Sequence, residues 1–115
     1  MPVIDDISRL HHILDASRKA VRYTKGKKRS DLDTNDLLSL ALVRLLEIIG
    51  EAAWGISEQL RDKYPDIAWR QMANMRNRLI HGYFDVNINL VWETATTELP
   101  PLIKQIREVL KKETA

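Results

Sequence analysis

The sequence predicts an all-α fold, an antiparallel bundle of four to five helices, and three observations carry that prediction. Apolar residues recur at helical spacing along most of the 115 residues. No stretch alternates apolar and polar residues as a half-buried strand would, and three polar interruptions, at residues 25–33, 63–66 and 82–87, divide the chain into helix-length pieces. With 44% hydrophobic, 30% charged and 6% aromatic residues, the composition fits one domain over residues 1–115. A chain of this length buries roughly two thirds of the surface it exposes when unfolded, enough for a core without crosslinks.

The first helix is read from Ile4, Ile7, Leu10, Ile13 or Leu14, and Val21, and spans Ile4 to Tyr23. The basic stretch after it, with Lys25, Lys27, Lys28 and Arg29 around Gly26, breaks the pattern, and Thr34 or Asn35 can cap the next helix. This second helix runs from Leu37 through Ala41, Leu45, Ile48 and Ala52 to Leu60, about seven turns. It crosses Gly50 and Gly55, each costing about 1 kcal/mol relative to Ala, which suggests a close approach by another element. Lys63, Tyr64, Pro65 and Asp66 stop it, and Asp66 stands where a third helix, Ile67 to Ile80, would take its N-terminal acid. After the 82–87 turn, the positions from Ile88 and Val91 to Val109 and Leu110 keep one helical phase across Pro100 and Pro101. That phase fits one kinked helix or two collinear ones, because proline removes a hydrogen bond and crowds the preceding turn.

Composition also excludes. With no cysteine, the chain has no disulfide, no thiolate metal ligand and no cysteine nucleophile, and a reducing cytoplasmic location is the expectation. The first 15 residues are acidic and amphipathic rather than a secretory signal, and no apolar run approaches the roughly 20 residues that span a bilayer. The formal charge is only +2, but residues 1–30 carry eight Lys and Arg against three Asp. That local excess gives the Lys25–Arg29 loop the character of a solvated loop able to meet phosphate.

The third helix carries the chemistry. On a wheel of about 100° per residue, Trp69, Met72, Leu79, Ile80 and Tyr83 form one stripe and Arg76 falls near its middle. A guanidinium there must be paired, with Glu47 or Glu51 in reach of sequence reasoning, or must snorkel to water, or face a second subunit or a ligand phosphate. His81 follows at the helix end, where the dipole alone would account for an imidazole, and Asn77 precedes it by four residues, placed to orient the ring. Arg76, Asn77, His81 and Tyr83 together supply a fixed cation, a neutral polar group, a titratable base and a phenol within two turns. The set suits RNA cleavage without a metal, which needs a base for the ribose 2′-OH and a cation for the phosphorane-like transition state. His11 and His12 diverge on the first helix, make a poor chelate and read as surface or interface residues.

The run from Arg76 through His81 to Tyr83 resembles the R-x4-H-x-Y signature of HepT-like ribonuclease toxins, members of the HEPN superfamily of helical nucleases. Residues Leu45 to Ala53, and Val91-Trp92-Glu93 with Leu99-Pro100, are similar to the second-helix and C-terminal parts of that family. The resemblance implies a homodimer whose motif residues line a shared cleft, with His81 as general base or acid, Arg76 as the transition-state cation and Asn77 as a polar helper. It implies no cofactor and a partner, a nucleotidyltransferase antitoxin of the MntA type, that blocks the toxin by transferring AMP to the motif tyrosine, here Tyr83. Gly82, between the histidine and the tyrosine, leaves the motif intact. Arg78 has no family role and faces away from the stripe, where it could touch RNA backbone or an acidic partner. A second class of function stays open at this point, a non-catalytic helical scaffold that serves only as the substrate subunit of a nucleotidyltransferase.

Overall fold

Asp5 starts the first helix by accepting a hydrogen bond from the Ser8 backbone N–H at 2.7 Å, which satisfies one of the free donors at the helix N-terminus. That bond also holds the Asp5 carboxyl below the ordinary carboxylate range. The computed structural model describes residues 4–80 and 85–115. Within them, α1 covers Asp6–Thr24, α2 Asp31–Thr34, α3 Asp36–Trp54, α4 Glu58–Lys63, α5 Trp69–Ala73, α6 Met75–Leu79, α7 Ile88–Glu93 and α8 Leu99–Glu113. A π-helical segment, Thr94–Glu98, joins α7 to α8. Among the described residues there is no strand, only an isolated antiparallel bridge between Ile80 and Val86.

The frame is α1 packed on α3 and α8. Leu10 and Ile13 of α1, Leu42, Leu46 and Ile49 of α3, and Leu99 and Ile106 of α8 are buried together. Each contributes roughly 1.5–3 kcal/mol relative to exposure in water. Of the two expected caps, Thr34 and Asn35, it is Asn35 that caps α3, accepting from the Leu38 N–H at 3.0 Å. Residues 31–34, expected as loop, form the short α2, whose Leu32 is buried and whose carbonyl accepts from the Ser39 hydroxyl.

The expected seven-turn second helix is two helices. It stops at Trp54 because Ser57 and Asp6 offer the backbone a better arrangement. The Ser57 N–H and hydroxyl both donate to the Asp6 carboxylate, at 2.9 and 2.6 Å, and the same hydroxyl accepts from the Leu60 N–H to cap α4. Gly55 lies at the break, and the Arg9 guanidinium fills the space that a Cβ there would need. Gly50 has the role its position suggests: an added Cβ would lie 3.0 Å from the Met72 carbonyl oxygen and 3.2 Å from the Met75 Cβ, so α3 and the α5–α6 segment approach as closely as backbones allow.

The third helix also divides. Asp66 is not its cap; Ala68 holds that position without a side-chain bond, and the Trp69 indole donates to the Tyr64 carbonyl at 2.9 Å to fix the entry. Asn74, at φ −91° and ψ 11°, separates α5 from α6. Helical geometry ends at Leu79, since Ile80 is extended. Asn87 caps α7 by accepting from the Leu90 N–H. From there the helical path runs unbroken to Glu113, and the π turn, in which the Leu99 N–H bonds to the Thr94 carbonyl, carries the chain into Pro100 and Pro101 at the start of α8. No described helix is long and apolar enough to cross a membrane.

The end of α8 is tied to the end of α4. Glu113 accepts from the Lys63 ammonium at 2.7 Å and from the Tyr64 hydroxyl. The Lys63 bond first, then that of Tyr64, holds the Glu113 carboxyl below its usual value of 4.5, and Glu113 in turn raises both Lys63 and Tyr64. A carboxylate depressed in the folded state stabilises the fold above its unfolded pKa and loses that effect as pH falls through the folded value. Glu113→Gln is therefore expected to melt below the wild type at pH 7, with the difference closing as the pH is lowered past 4.5 and on through the depressed value. Thermal unfolding by circular dichroism at pH 3 to 8 measures this, and a gap that persists undiminished at pH 3 would refute it.

Candidate active site

The turn at Asn74 decides the direction of Arg76. On an uninterrupted helix Arg76 would share the apolar stripe; the turn instead gives Met75 the buried place beside Trp69, Met72 and Leu79. Arg76 is not a core-facing residue: its side chain is 66% exposed and lies 3.7 Å, Nε to Oε2, from Glu47 of α3. Of the two acids in reach, Glu47 is the partner, and Glu51 pairs with Arg44 at 3.5 Å. At 3.7 Å the Glu47 contact is an ion pair rather than a hydrogen bond, so the guanidinium is held loosely and stays open to solvent.

Arg76 rims a groove of about 730 Å³. Its apolar floor includes Val43, Ile80, Val86 and Ile88, while Asp33, Asp36, Glu47 and Asp85 bring carboxylates to its walls. Arg29 ties back Asp33, bonding it at 3.0 Å and donating to Asn89 of α7 at 2.6 Å. The Arg76–Glu47 pair also borders a smaller hollow of about 240 Å³ that Glu51, Trp54 and Ala73 help to line. His81 and Tyr83 lie outside the described residues, as does Gly82. Both flanks of that segment are at the groove: Ile80 on one side, Asp85 and Val86 on the other, with Ile80 and Val86 paired as a bridge and the Asn87 N–H donating to the Leu79 carbonyl at 2.7 Å. Asn77 is exposed on α6, which ends at Leu79, and its expected relation to His81 lies outside the described residues.

Arg78 points the other way from Arg76. It is half-buried against Glu98 of the π segment, 3.3 Å from Oε2, and the Thr94 hydroxyl donates to the same carboxylate. This places Arg78 in a structural tie between α6 and the C-terminal helices and away from the groove. The basic loop is divided in the same manner. Arg29 reaches the groove rim, Lys27 and Lys28 are exposed, and Lys25 joins Arg18, Arg22 and Arg107 around a hollow of about 320 Å³ between α1 and α8. That four-cation cluster escaped sequence reasoning for Arg18, Arg22 and Arg107. The spacing of Arg18 and Arg22 on α1 does signal one face, but Lys25 lies just past the helix end and only packing brings Arg107 to the cluster. His11 and His12 are exposed on α1 as expected. A further hollow of about 840 Å³, between α4 and α5, is lined by Arg61, Asp62, Trp69 and Arg70 among others and by none of the sequence-predicted site residues. Among the described residues no three His, Asp or Glu side chains gather at metal-binding spacing.

The described residues form an all-helical frame with a loosely held arginine at a groove, five residues before a histidine and seven before a tyrosine in the sequence. The chain belongs to the HepT-like ribonuclease family, whose model, described as "Ribonuclease HepT-like", matches residues 13–109. It is 41% identical to "Putative RNase TTE0752" of Caldanaerobacter subterraneus subsp. tengcongensis, a match covering 90% of this chain and 93% of the relative. It is 38% identical to "Putative RNase MJ1216" of Methanocaldococcus jannaschii, over 96% and 92% of the two chains. A third relative, "Probable ribonuclease HepT" of Thermococcus cleftensis, is 33% identical over 89% and 93%. No solved structure matches the chain.

The two arginines of α6 are expected to separate in stability. Arg78→Ala leaves the half-buried Glu98 with only the Thr94 hydroxyl and should cost about 1 kcal/mol. Arg76→Ala removes a side chain that is mostly in water and should leave stability within about 0.5 kcal/mol of wild type. Urea unfolding of the two variants distinguishes them, and equal losses would contradict the assignment.

Proposed function

We propose that the chain is a metal-independent endoribonuclease toxin that cleaves cellular RNA, tRNA or mRNA, in the cytoplasm. The observation that carries this reading is the placement of Arg76: a solvent-open cation of a ribonuclease-family chain, at a groove whose edges are the two flanks of the His81–Phe84 segment. In the proposed reaction His81 accepts the proton of a ribose 2′-OH, and the oxygen attacks the neighbouring phosphorus. The bond from phosphorus to the 5′-oxygen breaks, that oxygen takes a proton from water or from the protonated His81 and leaves as a hydroxyl, and a 2′,3′-cyclic phosphate remains on the other fragment. Arg76 stabilises the extra negative charge as phosphorus becomes five-coordinate, and Asn77 assists as a polar helper. No metal or cofactor has a step in this sequence.

The groove of one protomer offers the Arg76 cation against the carboxylates of Asp33, Asp36, Glu47 and Asp85. Such a surface would hold an RNA phosphate poorly by itself, which supports a homodimer in which a second single-domain copy completes the cleft. Charge elsewhere favours RNA. Arg18, Arg22, Lys25 and Arg107 surround one hollow, and the exposed Lys27 and Lys28 follow Lys25 in sequence on the way to Arg29, which bonds the groove residue Asp33; successive cations of this kind suit phosphates.

The proposed partner is an MntA-type nucleotidyltransferase antitoxin that transfers AMP from ATP to Tyr83. The phenol oxygen attacks the α-phosphorus, pyrophosphate leaves and the phenolic proton passes to water. The added phosphate sets negative charge near Arg76 and His81, where the RNA phosphate must bind. The Glu47–Arg76 pair is what a purely structural arginine would make, and it favours the scaffold reading as far as it goes. Cleavage separates the two. Arg76→Ala and His81→Ala are each expected to abolish cleavage of total cellular RNA and growth arrest while keeping the wild-type helical spectrum; intact RNA with the wild type would defeat the enzyme reading. Tyr83→Phe should stay toxic in the presence of the nucleotidyltransferase, and intact-mass measurement after coexpression should lose the adenylate increment. An increment retained in that variant would remove Tyr83 as the modified residue.

A further inference from the structure

Three large apolar side chains stand in water along one helix: Leu37 is 82% exposed, Leu40 67% and Trp54 74%, all on α3. They belong to a stripe that continues Leu37, Leu40, Arg44, Glu47, Glu51, Trp54, spaced alternately by three and four residues. It lies directly opposite the buried face formed by Leu38, Leu42, Leu46 and Ile49. An exposed apolar stripe on an otherwise well-buried helix marks an interaction surface, and its order identifies the occupant. Read from either end toward a point midway between Leu45 and Leu46, the stripe gives an apolar residue, then Leu40 against Glu51, then opposite charges at the centre.

We propose that α3 pairs antiparallel with α3 of a second copy of this chain about a twofold axis at that midpoint. The axis sets Arg44 against the partner's Glu47, Leu40 against the partner's Glu51, and Leu37 against the partner's Trp54, each contact occurring twice. A twofold interface requires this reciprocity, and a different protein would have no use for it. The alternating spacing drifts by about 20° per heptad, which two helices follow by crossing at about 20°. The interface adjoins the candidate site. Glu47 turns Oε2 toward Arg76 of its own chain and has a second oxygen for the partner's Arg44, which would give up its exposed 3.5 Å contact with Glu51 of its own chain. Pairing therefore brings another cation to the acidic side of the groove and sets the two Arg76 residues on either flank of the axis.

This inference rests on the homodimer proposed above and adds its face and register. Sedimentation equilibrium of the full chain tests it. Arg44→Glu and Glu47→Arg each place like charges together and should raise the dimer dissociation constant at least about 30-fold. The double variant R44E/E47R should dimerise again, and an equimolar mixture of the two single variants should form heterodimers. Leu40→Glu, which sets two acids opposite each other without touching the Arg76 pair, should weaken the dimer as well. A monomeric wild type would overturn both the homodimer and this register. A dimer indifferent to all three single substitutions would overturn the register alone, and so would folded single variants that neither the double variant nor the mixture restores.

Discussion

The close approach of the Met72–Met75 backbone to Gly50 governs the rest of the site. With the Met72 carbonyl oxygen 3.0 Å from where a Cβ of residue 50 would be, the segment lies against α3 with no room to shift. Trp69, Met72, Met75 and Leu79 all have to be buried along this contact, and the turn at Asn74 allows it by changing the helical phase between α5 and α6. The arginine that a continuous helix would press toward the core is thereby delivered to the surface beside Glu47. A guanidinium buried without an ideal partner would cost several kcal/mol; one at a groove rim costs little and remains available to an anion.

Local capping competes with helical periodicity throughout this chain. Asp6, in the first turn of α1, takes two hydrogen bonds from Ser57, and that long-range contact ends α3 one turn before Ser57. The break redirects α4 so that Lys63 and Tyr64 can meet Glu113 at the far end of the chain. Proline, by contrast, does little damage where the sequence gives it room. Pro100 and Pro101 fall in the first turn of α8, where a missing N–H is least costly, and the π turn before them keeps the apolar face in phase.

Among the described residues the groove is lined by more acids than cations. Each of its nearby cations already has an acid: Arg29 has Asp33 and Arg76 has Glu47. Among the described residues, cations without an acid beside them gather between α1 and α8, while an apolar stripe with a reciprocal charge order is exposed on α3. In the proposed homodimer two copies of this ribonuclease-family domain would share one cleft, an economical way to surround a phosphate.

Helical class, the positions of α1 and α8, the Asn35 cap and the uninterrupted phase across the prolines were all legible in the sequence, because each depends on periodicity or on residues within a turn of one another. So were the Arg76-to-Tyr83 motif and the family it resembles, since a motif is a local pattern. Other features were not legible. The division of the second helix depends on an Asp6–Ser57 contact spanning half the chain, and the division of the third on packing against Gly50. The same is true of the side chains: Arg76 and Arg78 are two residues apart, yet Glu47 draws one to the groove and Glu98 ties the other to the π segment. The sequence by itself determined which residues are apolar, charged or able to do chemistry, and that they lie on helices. Tertiary structure alone decided which way each charge faces, because a side chain's direction is set by the acid, backbone or helix that packing brings to it from elsewhere in the chain.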